Sequence, residues 1–189
     1  MGFRYIVRQA KPEDCGSILK LIYEWAELGK DPDRVVQNTE EDLRDNGFGD
    51  HPIFQSIVAE AIDDGDSTDE AQRGTMVGYA IYICTYSAWT GGVIYLDDLF
   101  IQPAHRGKGV GKAMVCKVAK IGAQKGCQGM QMFMQGSNKA ARQFFDGFNA
   151  VDISEKDGWS VMCVQGDHLS QLGNYLTEPE VKNDIQFLC

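Results

Sequence analysis

The residues best suited to chemistry lie in two short stretches. The first, Arg106-Gly107-Lys108-Gly109-Val110-Gly111-Lys112, sets glycines at alternate positions among three cations. Alternate glycines let a backbone turn sharply and approach a ligand closely. The amide groups of such a loop, continued into a helix, converge on an anion. The chemistry is that of a pyrophosphate cradle. Two familiar cradles fail on spacing. A Walker loop needs GxxxxGK and then Ser or Thr, but Arg106 stands at the first glycine position and Ala113 follows Lys112. A dinucleotide fingerprint, GxGxxG, fails because Lys112 takes the last glycine position and the preceding strands read as antiparallel. The second stretch is Asp97-Asp98, mid-strand, where two carboxylates are unfavourable. Strand alternation sends them to opposite faces unless a bulge redirects the chain. Their plainer reading is edge-strand carboxylates that prevent aggregation or pair with a base.

The elements that must position these residues follow from patterning. Phe3–Arg8 alternates as a strand, and Pro12-Glu13-Asp14 opens a helix with the stripe Ile18, Leu19, Ile22, Trp25 and Ala26, ended by 29–32. Thr39-Glu40-Glu41-Asp42 resembles a capping box for a short helix stopped by Asn46-Gly47. Strands are expected over 54–61 and 76–85, separated by an acidic loop over 63–74, and Thr90-Gly91-Gly92 turns the chain into a further strand over 93–101. A helix follows the glycine-rich loop, with Met114, Val115, Val118, Ala119 and Ile121 on its apolar face. Then come a strand over 128–134, a helix capped by Ser137 and running to about Phe148, a closing hairpin over 150–154 and 158–165, and a last helical turn over 168–173. The order β-α-α-β-β-β-α-β-α-β-β describes an α+β domain with a mixed sheet.

The chain has 189 residues, 18 basic and 27 acidic, for a formal net charge of −9. An acidic chain repels phosphate backbones, which disfavours general nucleic-acid binding. No apolar run approaches a membrane span, and Met1–Gln9 lacks the apolar core of a secretory signal. Ile6 stands where a myristoylation site needs Ser or Thr, and Cys189, the last residue, makes no prenylation box. Cys15, Cys84, Cys116, Cys127, Cys163 and Cys189 form no CxxC pair and lie at no metal-ligand spacing from a histidine, so no metal is expected. Several fall on apolar faces, and they read as free thiols in a reducing cytoplasm. His51, His105 and His168 read as loop or surface histidines, none with a nucleophile at suggestive spacing.

The cradle that fits is R-x-x-G-x-G over Arg106–Gly111, which resembles the acyl-CoA loop of the GCN5-related N-acetyltransferases. Gly47-Phe48-Gly49-Asp50-His51-Pro52, Tyr86-Ser87-Ala88-Trp89, Ile94-Tyr95-Leu96-Asp97-Asp98, Asn138 and Gly158-Trp159 stand in register with it. Together they resemble the diamine acetyltransferases of the spermidine/spermine N1-acetyltransferase group. The Ser-x-Trp form, Cys163-Val164-Gln165-Gly166 and the Asn-rich end are more similar to the thialysine branch. The resemblance runs from about Phe3 to Leu172, giving an acetyltransferase domain over 1–173 and a tail over 174–189 outside it. It implies a splayed mixed sheet with acetyl-CoA in the gap, held at Leu99, Phe100 and Ile101, at the Arg106–Lys112 loop, and at Asn138 and Ala141. It also implies a homodimer with amine sites at the subunit interface, and direct attack by the amine in a ternary complex.

A protonated amine cannot attack a thioester until a proton leaves, and a nearby carboxylate can take it, directly or through water. The family has a Glu-Asp pair whose Glu is the base, and here Asp97 holds that position with one methylene fewer. The family's acid is a Tyr, where this chain has Phe145, which has no proton to donate. Leu28-Gly29 replaces an aromatic followed by Glu in the amine pocket, and Ser87 is neutral where the polyamine branch has Asp. A short amine is therefore better suited than a long polycation. Glu24 and Glu27 either replace part of that charge or simply solvate their helix. Trp89 faces the amine by cation–π contact or is a core or dimer aromatic. The expected activity is acetyl-CoA-dependent N-acetylation of a small diamine, polyamine or thialysine-like amino acid. The alternatives are a weakly active acetyl-CoA-binding dimeric adaptor and an acetyltransferase of protein lysines or N-termini.

Overall fold

The computed structural model describes residues 2–29, 35–63 and 74–174. The acidic loop lies almost wholly outside these residues, as do Cys189 and the tail beyond Asn174. The chain divides into two compact units, Met1–Met134 and Gln135–Cys189.

The first unit is built on a mixed sheet, β1 (Phe3–Gln9), β2 (Gln55–Asp63), β3 (Thr75–Ser87), β4 (Gly91–Ile101) and β5 (Gly129–Met132), in that spatial order. β1 to β4 pair antiparallel, and β5 joins β4 in parallel. The helices are α1 (Cys15–Gly29), α2 (Glu40–Phe48) and α3 (Val110–Gln124). Pro12–Asp14 forms a tight 3-10 turn leading into α1, in keeping with proline in a first turn. Thr39 caps α2 as the sequence indicates, its hydroxyl accepting from the Asp42 amide at 3.1 Å, but α2 continues through Asn46-Gly47 to Phe48.

One core face gathers Cys15, Ile18 and Leu21 of α1 and Leu43 of α2 against Val58, Tyr79, Ile81 and Phe100 of the sheet. The opposite face receives α3 through Val110, Met114, Val115, Val118 and Gly122 rather than Ala119, which is exposed. Gly122 lets this helix lie against β4, since a Cβ there would stand 2.8 Å from Ile94 Cγ2. Arg8 on β1 is held between two carboxylates, donating to Asp14 Oδ2 at 2.7 Å and to Glu60. That pairing draws the Asp14 carboxyl below its usual range, the Arg8 hydrogen bond being the chief cause.

The second unit holds α4 (Lys139–Asp146), α5 (Ile153–Asp157) and α6 (Asp167–Asn174). The expected closing hairpin is absent from the described residues. Asp152 instead caps α5 by accepting from the Ser154 and Glu155 amides at 3.0 and 3.3 Å, and Gly158 ends it at φ +70°. Asp152 followed three residues later by Glu155 is a helix-start pattern that apolar alternation hid. α4 is capped by Asn138, not by Ser137.

Among the described residues no helix is long and apolar enough to cross a membrane. Cys15 is buried and Cys127 half-buried, whereas Cys84, Cys116 and Cys163 are exposed, so among the described residues most cysteines do not serve as core hydrophobes.

Candidate active site

The acidic pair stands at a break in the register of β4. Ile81 of β3 pairs with Asp98, but the next residue, Tyr82, pairs with Leu96, leaving Asp97 as the extra residue of a β-bulge. The bulge breaks the strict alternation of the strand at the two carboxylates. Asp98 lies opposite Ile81 and therefore on the face that carries Tyr79, Ile81 and Phe100. Asp97 is exposed and Asp98 half-buried.

Two tyrosines respond to this pair. The Tyr79 hydroxyl, on a side chain with no exposed surface, donates to the Asp98 carboxylate. Burial first, then the charges of Asp98 and Asp97, push the Tyr79 phenol far above its ordinary range. Tyr95, two residues before Asp97, is pushed up to about 12 by burial, then by the charge and hydrogen bonding of Asp97. Its ring meets Phe133 edge-on, with centroids 5.4 Å apart.

The bulge also coincides with the point where β4 and β5 part. Their pairing begins where the Gln128 amide donates to the Gly92 carbonyl at 2.8 Å, and it ends at Leu96 with Met132. β4 runs on to Ile101, so Asp97–Ile101 present an edge that β5 does not cover. Leu99 is half-buried, and Phe100 and Ile101 are buried. Amides along such an edge can receive an extended ligand by strand-like hydrogen bonding. That edge carries the residues that the resemblance assigns to the acyl donor.

The glycine-rich loop follows directly. Gly107 and Gly109 adopt φ +72° and +83°, conformations that favour glycine, and Gly109 is the N-cap of α3. Val110 is buried and anchors the first turn, while Arg106, Lys108 and Lys112 are exposed around it and Gly111 is half-buried. Arg106 Nε donates to the Ile101 carbonyl at 2.8 Å, and its guanidinium lies 5.6 Å from the Phe100 ring centre. Lys108 Nζ sits 5.0 Å over the Phe3 ring. His105 receives Phe3 edge-on at 5.1 Å, and its Nδ1 lies 3.0 Å from the Tyr5 hydroxyl. Burial, and secondarily Lys108, lower its imidazole below the ordinary histidine value. β1 thus braces the loop through aromatic contacts, a role that Phe3–Arg8 read only as an alternating strand did not reveal. The glycine conformations, the helix start and the cations fit the pyrophosphate of an acyl-CoA.

The remaining expected residues are distributed as follows. Leu28 and Gly29 close α1, Leu28 half exposed and Gly29 with no atom within 4 Å of an added Cβ. Glu24 accepts from Gln102 Nε2 at 2.8 Å, which ties α1 to the chain just beyond β4. Trp89 is 86% exposed at the tip of the β3–β4 hairpin, which removes its core reading. About 20 Å of strand separate that tip from Asp97. In the second unit, Asn138 Oδ1 accepts from the Ala141 amide at 3.0 Å, so this pair forms the start of α4. Phe145 is half-buried and meets Phe144 edge-on at 5.1 Å. His51 and His168 are exposed.

Comparison with known proteins places this geometry. The acetyltransferase (GNAT) family model matches residues 19–148. The pig protein named thialysine N-epsilon-acetyltransferase (Sus scrofa) is 38% identical over 167 residues, covering 88% of this chain and 96% of that protein. The human spermidine/spermine N(1)-acetyltransferase-like protein 1 is 33% identical, covering 86% of this chain and 23% of its own length. Among solved structures, an integron cassette protein from the mobile metagenome of V. cholerae superposes with a TM-score of 0.67 at 21% identity, covering 91% of this chain and 99% of that one. The aminoglycoside N-acetyltransferase AAC(6')-Iy, solved in complex with CoA, gives 0.63 at 17% identity, covering 88% and 97%. Together the matched model, the identity over nearly the whole chain and the shared fold assign this chain to the acetyltransferase (GNAT) family, as an N-acetyltransferase of the thialysine branch.

Proposed function

We propose that the protein transfers acetyl from acetyl-CoA to a primary amine of a small substrate, a thialysine-like amino acid or a short diamine, by direct attack in a ternary complex. The observation that carries this reading is the bulge that exposes Asp97 where β4 leaves β5. A carboxylate there can hold an ammonium and take its proton beside an edge of amides suited to an acyl donor. Asp97 is the base, acting through water because its side chain is short. Leu99, Phe100 and Ile101 receive the pantetheine arm and the thioester carbonyl, whose developing negative charge backbone N–H groups stabilise. The loop from Arg106 through Gly107, Lys108, Gly109, Val110 and Gly111 to Lys112 holds the pyrophosphate, and Asn138 and Ala141 add contacts to the donor. Phe145 supplies no proton, so the thiolate leaves unassisted or takes one from water. No residue of the site suggests a covalent acetyl-enzyme.

The name of the pig relative supports thialysine-like amines, and the neutral Ser87 and Gly29 support short amines over polycations. The protein acts as a cytoplasmic homodimer. Trp89 lies too far along its own hairpin for the Asp97 of the same chain, and a second copy would bring it to the amine site. The catalytic domain spans 1–173.

The test is to incubate purified protein with acetyl-CoA and a panel of thialysine, short diamines, spermidine and a basic peptide, following release of free thiol. Release with thialysine or a short diamine is expected. Acetyl-CoA binding without amine-dependent release overturns the reading in favour of an adaptor, which Phe145 would suit. Release with the peptide alone overturns it in favour of a protein acetyltransferase.

A further inference from the structure

The reading above uses Asp97 and leaves Tyr79 without a task, although Tyr79 carries the most deeply buried hydroxyl near the acidic pair. Its ring packs in the core, 6.2 Å from that of Phe100, where phenylalanine would serve the packing equally well. Burying a phenol without a hydrogen bond is costly, so a fully buried hydroxyl is retained where its partner matters. That partner is the Asp98 carboxylate. Asp98 is the first residue beyond the bulge to regain a place opposite β3, at Ile81. Asp97, which the register skips, has no position of its own on β3 and depends on its neighbours for its direction. Both carboxylates act electrostatically on the Tyr79 hydroxyl, so the two acids and the phenol form one cluster.

We propose that Tyr79 is a positioning residue of the acyl-transfer site: its buried hydroxyl pins the Asp98 carboxylate beyond the bulge and so leaves Asp97 turned outward to meet the amine. The two acids then have separate tasks. Asp98 is occupied by a donor from the core and fixes the strand, and Asp97, on the exposed side of the bulge, handles the substrate proton. The inference rests on the proposed amine acetylation, because the consequence of misplacing Asp97 is read as lost turnover.

The test is a double-mutant cycle on the full chain, with the best amine of the panel. Tyr79→Phe keeps the ring and removes only the donor. It is expected to lower kcat by about 10- to 100-fold, the range that small misplacement of a reacting group costs, while acetyl-CoA affinity measured by calorimetry stays within twofold. Asp98→Asn is expected to lower kcat comparably, and the double variant to fall no further than the worse single one, because Tyr79 acts through Asp98. Should Tyr79→Phe prove too unstable to assay, Asp98→Glu shifts the carboxylate within an intact tyrosine and is expected to show the same kcat loss at unchanged acetyl-CoA affinity. Wild-type kcat in Tyr79→Phe or Asp98→Glu, or fully additive losses in the cycle, overturns the proposal. Failure of the underlying reading looks different: the unmodified protein then releases no thiol with any amine.

Discussion

The register of β4 passes over Asp97 and leaves it exposed, as its proposed role as base requires. Exposed at the bulge, it is expected to lose about 10²–10⁴-fold in kcat as Asp97→Asn, the range for removing a general base, with acetyl-CoA binding preserved in a calorimetric titration. Phe145→Tyr restores the hydroxyl that the resemblance leads one to expect. Its kcat is expected to rise, by about 10-fold or more if proton donation to the thiolate limits turnover, and a flat kcat shows that the step is not limiting. Gly29 stands in open space at the end of α1, so Gly29→Glu needs no repacking. It is expected to lower KM for spermidine several-fold and to leave KM for thialysine unchanged, as measured by thiol release. Residue types were fully legible in the sequence: the loop cations, the acidic pair and the missing tyrosine are visible as letters. Which acid faces outward was not, because a single skipped residue reverses the sidedness of everything after it, and only pairing shows where the skip falls.

At the scale of elements, two glycines matter, one for a close approach and one for a left-handed turn. Gly122 allows α3 to meet Ile94, so Gly122→Ala forces an overlap at the helix–sheet contact. It is expected to cost about 1–3 kcal/mol in chemical denaturation, and the added substitution Ile94→Ala should recover part of the overpacking loss. Gly109 caps α3 from a left-handed conformation, so Gly109→Ala strains the loop at its turn and is expected to weaken acetyl-CoA binding more than it weakens folding. Elements with strong periodicity or punctuation, β1 to β4, α1 and α3, are legible in the sequence alone. The segment beyond Ala150 is not. The hairpin expected over 150–154 and 158–165 gives way where Asp152 caps a helical turn over Ile153–Asp157. Side-chain capping is a one-residue signal, easily outweighed by a longer apolar pattern.

For the whole molecule, the −9 charge divides into regions of opposite meaning. A basic loop is set into an acidic chain, and at the bulge Asp97 is exposed while Asp98 is held by Tyr79. Stability toward acid follows from the paired carboxylates rather than from net charge. Asp14, held below the ordinary carboxylate range by its Arg8 hydrogen bond, contributes stability in full above the unfolded value and loses it as pH falls through the lower folded one. Asp14→Asn is therefore expected to lower the thermal midpoint near neutrality and to flatten its decline below about pH 4, as read by scanning calorimetry across pH.

The single parallel pairing carries a consequence for how the molecule assembles. β2 to β4 form a meander whose contacts close short loops, whereas β1 meets β2 only after the chain has passed through α1 and α2. β5 reaches β4 only after the chain has passed through α3, and it then holds four residue pairs, against a β3–β4 ladder running from Gly78–Ile101 to Ser87–Gly91. Long-range pairing is entered after local pairing, and the shortest ladder opens first. The Asp97–Ile101 edge is thus bounded by the strand that lets go earliest. Amide exchange in β5 should outpace that in β3 by orders of magnitude, so the wall of the proposed acyl-donor edge next to Leu96 can breathe while the meander stays closed.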